Sequence, residues 1–257
     1  MTALTIAGSD PSGGAGLQAD LKTFHRFGVY GEAVVTLITV QNTVSLERVE
    51  VLAPDLVVEQ IRAVVSDIPP RAAKTGALGN AAVMQAVAEA AAEFAFPLVV
   101  DPVMISKHGA KLSESAAFAS LIARAYLLMP NLHEASELAG IAVDDRESMR
   151  RAAEILAGMG ARNVLVKGGH LEGDALDLLY LEGGEVREFI AARIATRHTH
   201  GTGCTYSAAI TAELAKGTGL EQAVSLAKAY VTEAIRSGPG LGQGSGPVNH
   251  FAQERQR

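Results

Sequence analysis

The stretch "HGTGC", residues 200 to 204, sets two glycines one residue apart, directly ahead of the apolar run "TYSAAITAELA". Gly201 and Gly203 let backbone N–H groups converge where a helix begins, and the helix dipole adds partial positive charge there. Such a nest suits the spread negative charge of a phosphoryl group in transit. A plainer reading stays open, with Thr202 as an N-cap and Cys204, the single cysteine of the chain, packed as a small apolar residue. Asp101 follows "PLVV" and precedes Pro102, a place for a turn-forming carboxylate or for one on the metal side of a nucleotide. In "MPNLHEA", Glu134 stands three residues after Asn131. That is the spacing of a capping box, and equally a place from which Glu134 positions Mg²⁺ through water opposite Asp101. Lys167, after "NVLV", is either a solvated charge or a neutraliser of phosphate. His170, His198 and His200 have no spacing for a three-ligand metal site and read as polar or loop residues.

The glycine-rich "GSDPSGGAGLQAD", residues 8 to 20, lacks both the Gly-Lys-Ser/Thr ending of a P-loop and the spacing of a dinucleotide fingerprint. A dinucleotide-dependent oxidoreductase fails on that spacing. What remains is a βα turn whose glycines permit positive φ, or a turn that brings the backbone and Asp20 close to a small substrate.

These groups need a scaffold. Apolar runs at 3–8, 31–41, 72–78, 96–103, 125–131 and 163–169 alternate with segments whose apolar residues lie three and four apart: Leu17, Leu21 and Phe24, then Leu56, Ile61 and Val64, then Val83, Val87 and Ala90. The pattern predicts an α/β fold, a doubly wound and mainly parallel sheet covered by helices on both faces. The stretch 174–194 predicts a β-hairpin turning near Gly183 and Gly184, followed by two closing helices and a glycine-rich loop over 237–250. Ligands of such sheets bind beyond the carboxyl ends of the strands. Ser9, Asp10, Ser12, Gln41, Asn42, Lys74, Thr75, Asp101, Asn131 and Lys167 all fall on that edge.

The chain has 257 residues with no repeat or linker, so one domain over 1–257 is expected. Net charge is −6 with the basic residues scattered, which gives nucleic acid and anionic membranes no support and points to a small-molecule partner. One cysteine excludes an intramolecular disulfide framework and fits a reducing compartment. The start "MTALTIAGSD" lacks a secretory-signal pattern and no apolar run reaches about 18 residues, so a cytoplasmic protein is expected.

In order along the chain, "LTIAGSDPSGGAGLQADLKTF", "TVQNT", "KTGAL", "DPVM", "MPNLHEA", "VLVKGGH", "HGTGCTYSAAI" and "GPVNHF" resemble the hydroxymethylpyrimidine/phosphomethylpyrimidine kinases of thiamin biosynthesis, within the ribokinase-like family. The resemblance implies Mg²⁺-dependent transfer from ATP to 4-amino-5-hydroxymethyl-2-methylpyrimidine and then to its monophosphate. It places Gln41 at the pyrimidine edge, with Gly8, Asp20 and Val103 around it. Ala77 stands where many relatives have Met, which loosens the packing over the ring. Gly201, Gly203, Cys204 and Lys167 become the transfer site, Asp101 and Glu134 the metal side, and Asn131, Lys167 and Thr202 nucleotide contacts. Relatives imply a homodimer. Many ribokinase-like sugar kinases carry Asp where Cys204 stands. A neutral thiol there accepts an alcohol first and a phosphate second without charge repulsion, and the helix N-terminus lowers its pKa if it serves as a base in the first step. "DPVMISKHGAKLS" is expected to form a flap with Lys107, His108 and Gly109 at its mobile part. A pyridoxal kinase is the neighbouring possibility, and a non-catalytic regulator that binds nucleotide or a thiamin precursor the more distant one.

Overall fold

Runs such as 3–8 and 164–168 have apolar side chains on both sides of the strand and fold only where both are covered. The computed structural model describes residues 1–104, 115–169 and 173–252. In chain order its elements are β1 (Thr2–Ser9), α1 (Gly16–Arg26), β2 (Tyr30–Gln41), β3 (Leu46–Val51), α2 (Pro54–Asp67), β4 (Ala72–Thr75), α3 (Ala81–Ala91) and β5 (Leu98–Val100). A short α4 (Ala119–Ile122) leads to β6 (Leu127–Leu128), α5 (Leu132–Ala139), α6 (Arg146–Gly158), β7 (Val164–Gly168), β8 (Ala175–Tyr180), β9 (Val186–Ala191), α7 (Thr202–Lys216) and α8 (Leu220–Arg236). The expected flap residues Lys107, His108 and Gly109, and also His170, lie outside the described residues.

Among the described residues, nine strands join one sheet in the order β3-β2-β1-β4-β5-β6-β7-β8-β9. From β2 to β7 the neighbours run parallel, whereas β3 pairs antiparallel with β2, and β8 and β9 continue antiparallel from β7. The expected hairpin is therefore β8–β9. The charged edge strand β3 is an addition to the sequence reading. Succession reverses direction between β1 and β4, which is the topological switch point where such sheets bind ligands.

Strand residues alternate between two cores. Leu4, Ile6, Val100, Leu128 and Val166 pack with Val57, Val83 and Leu156 of α2, α3 and α6. Ala3, Val99, Leu127 and Leu165 pack on the other face with Phe24, Tyr206, Ile210 and Tyr230 of α1, α7 and α8. Each fully buried Leu or Ile contributes about 2 kcal/mol relative to exposure. One helix stripe differs from expectation: Val57 and Ile61 form the buried face of α2, and Leu56 is exposed. A one-residue step on a helix turns a side chain through roughly 100°, enough to move it from core to solvent.

Candidate active site

The carboxyl ends of β1, β4, β5 and β7 and the N-terminus of α7 enclose a cleft of about 970 Å³. Gly201 precedes α7 with φ of 79°, and a Cβ there would meet the carbonyl oxygen of Gly14 at 1.7 Å, so only glycine fits. The first turn of α7 leaves the N–H groups of Gly203 and Cys204 without intrahelical acceptors. Thr202 is not an N-cap, because Gly201 takes that position and the Thr202 hydroxyl donates to the carbonyl oxygen of Thr199 at 2.8 Å. The plain reading therefore loses Thr202 as its cap, and the helix begins from the left-handed Gly201 instead.

Beside the turn, Lys167 Nζ donates to Asp101 Oδ1 at 2.7 Å, while the Ser207 hydroxyl lies 3.3 Å from Asp101 Oδ2. Burial alone would push the Lys167 ammonium down, but Asp101 and Glu134 outweigh it and hold it above its usual range, as a cation. A Cβ at Gly203 would stand 3.6 Å from Asp101 Oδ2 and 3.7 Å from Lys167 Nζ, which fixes how closely the turn faces the pair.

Asn131 and Glu134 form the expected capping box, with Glu134 N–H donating to Asn131 Oδ1 at 2.9 Å and Asn131 N–H to Glu134 Oε2 at 2.8 Å. The same carboxyl is buried in the cleft wall. Burial raises it to about 7, with Asp101 adding to the rise and Lys167 opposing it. The two readings of Glu134 therefore describe one side chain at one place. Among the described residues no group of three or more His, Cys, Asp or Glu gathers into a metal cage.

Cys204 lines the cleft, half-buried. Burial pushes its thiol up to about 11, and the carboxylates of Asp20 and Asp101 add to that against the opposing charge of Lys74 and a hydrogen bond from Gly16. The expectation that the helix N-terminus lowers this pKa is overturned: desolvation and the acidic neighbours win, and the thiol is neutral. Asp20 also departs from expectation. It lies beneath the cleft, not on its wall, accepting from Lys74 Nζ at 2.8 Å and from the Thr5 hydroxyl at 2.6 Å in a fully buried pair. Its helical stripe explains this, because Asp20 shares the inward face of α1 with Leu17 and Phe24.

Gly8, Ala77, Val103 and Gln41 line the same cleft. Here the sequence reading missed His200, which is buried, with Nε2 lying 2.7 Å from Asp10 Oδ2 and 3.2 Å from the Gln41 side-chain amide. Its neighbour in the chain, the glycine turn, was the available signal. The ion pair of Lys228 with Asp177 at 2.6 Å also lines the cleft, as do the apolar residues Ala191, Ile194, Val231 and Ile235. An aspartate inside the apolar strand "ALDLLY" was the trace of it in the sequence.

A family model described as phosphomethylpyrimidine kinase matches residues 10–249. The chain belongs to that family. A hydroxymethylpyrimidine/phosphomethylpyrimidine kinase of Bacillus subtilis is 44% identical, covering 98% of this chain and 96% of that one. A thiamine biosynthesis bifunctional protein of Geobacter sulfurreducens is 47% identical over 96% of this chain, which spans only 52% of that longer protein. Among solved structures, the pyridoxal kinase of Staphylococcus aureus in complex with AMP-PCP and pyridoxal superposes with a TM-score of 0.89 at 36% identity, covering 99% and 95% of the two chains. A phosphomethylpyrimidine kinase of Clostridium difficile gives 0.80 at 43% identity over 91% and 99%. The fold is ribokinase-like.

Proposed function

We propose that this protein transfers phosphoryl groups from ATP to 4-amino-5-hydroxymethyl-2-methylpyrimidine and then to its monophosphate, yielding the pyrophosphate for thiamin synthesis. The supporting observation is the Gly201–Cys204 turn opening into one cleft with the Lys167–Asp101 pair on one side and Gln41 on the other. Transfer passes through a loose transition state, so positioning and charge stabilisation do most of the catalysis. The N–H groups of Gly203 and Cys204 bind the equatorial oxygens, and the Lys167 ammonium neutralises charge beside them. In this reading Thr202 and Asn131 contact the nucleotide, and the cleft residues Val231 and Ile235 supply an apolar surface for its adenine ring. Asp101 and Glu134 would hold Mg²⁺ through water. They are hard oxygen donors, and an ion that keeps several waters and binds phosphates needs no three-carboxylate cage. The metal, when bound, supplies charge neutralisation at the phosphates.

The neutral thiol of Cys204 accounts for acceptance of both substrates. The monophosphate carries about −1.5 to −2 charge near neutral pH and needs no base, so a carboxylate at this position would repel it. For the first step, a lone pair of the alcohol oxygen attacks the γ-phosphorus in line as the bond to the bridging oxygen breaks and ADP leaves, and the hydroxyl proton passes to an oxygen of the transferred phosphoryl group and on to water.

Mass analysis of the products after incubation with ATP, Mg²⁺ and either hydroxymethylpyrimidine or pyridoxal tests the assignment. A diphosphorylated pyrimidine is expected. Phosphorylation of pyridoxal alone would transfer the assignment to the alternative that the Staphylococcus neighbour favours, and neither product would leave a regulator. We also propose a homodimer, supported by the exposed apolar side chains of Ile38 and Val40 on β2 and the nearby Val44, with light scattering as the check. A cytoplasmic location belongs to the same proposal. Among the described residues no helix is long and apolar enough to cross a membrane.

A further inference from the structure

His200 sits where its hydrogen bonds can be counted. Its Nε2 lies 2.7 Å from Asp10 Oδ2 and 3.2 Å from the Gln41 amide. A ring nitrogen carries either one hydrogen or one lone pair. Asp10 decides which. Its Oδ2 also accepts from Ala15 N–H at 2.9 Å and from the Ser12 hydroxyl at 2.9 Å, while Oδ1 accepts from Ser12 N–H at 2.9 Å. Burial would raise this carboxyl, but the bonds from His200 and Ser12 outweigh it and hold it below its usual range. An ionised carboxylate only accepts, so Nε2 must bear the hydrogen, whatever the state of the other ring nitrogen.

That hydrogen dictates the orientation of Gln41. With the amide nitrogen toward His200 two donors would meet, whereas a half-turn of the amide places Oε1 there as a second acceptor of the Nε2 hydrogen. The NH₂ then faces the cleft. The histidine itself is clamped. A Cβ on Gly14 would meet its Cδ2 at 2.5 Å, so the first βα turn packs directly on the ring. Its backbone N–H donates to Gly246 at 3.1 Å, and Val248 N–H donates back to it at 3.3 Å.

Building on the kinase reading above, we propose that His200, held by Asp10, is a positioning residue that locks Gln41 with its NH₂ toward the ligand, so the cleft selects a heteroaromatic ring offering an unprotonated nitrogen at that edge. A ring with C–H or N–H there would face a donor and leave the Gln41 hydrogens unpaired, a mismatch that discriminates strongly in a dry site.

Two measurements test this. Nitrogen-15 NMR of the ligand-free protein is expected to show His200 Nε2 as a proton-bearing, pyrrole-type nitrogen. A pyridine-type Nε2 overturns the proposal, and this readout does not depend on the protein's being a kinase. In steady-state kinetics with hydroxymethylpyrimidine, His200→Leu is expected to raise KM for the pyrimidine on the order of tenfold, with KM for ATP and kcat within about twofold. His200→Gln, whose amide carries two hydrogens for Asp10 and Gln41, is expected to restore most of the loss. Equal effects on both substrates, or no rescue by Gln, overturn the positioning role.

Discussion

Two glycines in the transfer turn carry different physical demands, and substitution separates them. Gly201 has a positive φ, and its Cβ would clash with the Gly14 backbone, so Gly201→Ala should lower the melting temperature and abolish activity together. At Gly203 a Cβ meets only ordinary contact distances, so Gly203→Ala should fold with near-native melting. Its methyl nevertheless occupies the space between the turn and the Lys167–Asp101 pair, and kcat should fall at least ~100-fold. Native-like kinetics of the folded variant would remove the turn from the mechanism. Cys204 gives a pH readout. With its thiol pushed up to about 11, little thiolate exists at neutral pH, and iodoacetamide labelling should be slow at pH 7.5 and rise about tenfold per pH unit toward 10. A labelling rate already level by pH 8 would mean a low thiol pKa and reopen the role of Cys204 as a base.

At the scale of an element, β2 carries a burden unrelated to catalysis. Glu32 packs beside Ala63 and Val64 of α2, with both carboxyl oxygens buried and unpaired, and burial raises it to about 7 from an ordinary 4.5. Between those values the folded state binds more protons than the unfolded one, so stability is full below about 4.5 and declines as pH rises through 7. Glu32→Gln should therefore exceed the parent by about 1 to 3 kcal/mol in urea unfolding at pH 8 and match it near pH 4. Equal stabilities at pH 8 would show that Glu32 finds a partner. The elements also show what a sequence can and cannot disclose. Asp101, Asn131 and Lys167 were legible because strand ends are local in the chain. β3 was not, since "LERVEV" is short and charged as edge strands are. Asp20 was legible in principle, because its spacing from Leu17 and Phe24 puts it on the buried stripe. His200 was legible only in its place beside the glycine turn, because its burial depends on Asp10 and Gly246, which no local pattern connects to it.

For the whole molecule, the Lys74–Asp20 pair joins β4 to α1 under the cleft with neither side chain exposed. Lys74→Met should cost about 3 to 5 kcal/mol by stranding a buried carboxylate, and adding Asp20→Leu should recover much of it. Failure of the second change to recover stability would mean that the pair itself, not the orphaned charge, sustains the fold. We further propose that 1–257 unfolds as one unit, since a single sheet takes strands from both halves; one calorimetric transition is the expected result. The pairing of His200 with Pro247 ties the substrate pocket to the segment that follows α8. A protease nick between Arg236 and Pro247 should therefore free the seat of His200 and weaken pyrimidine binding while the central sheet stays assembled.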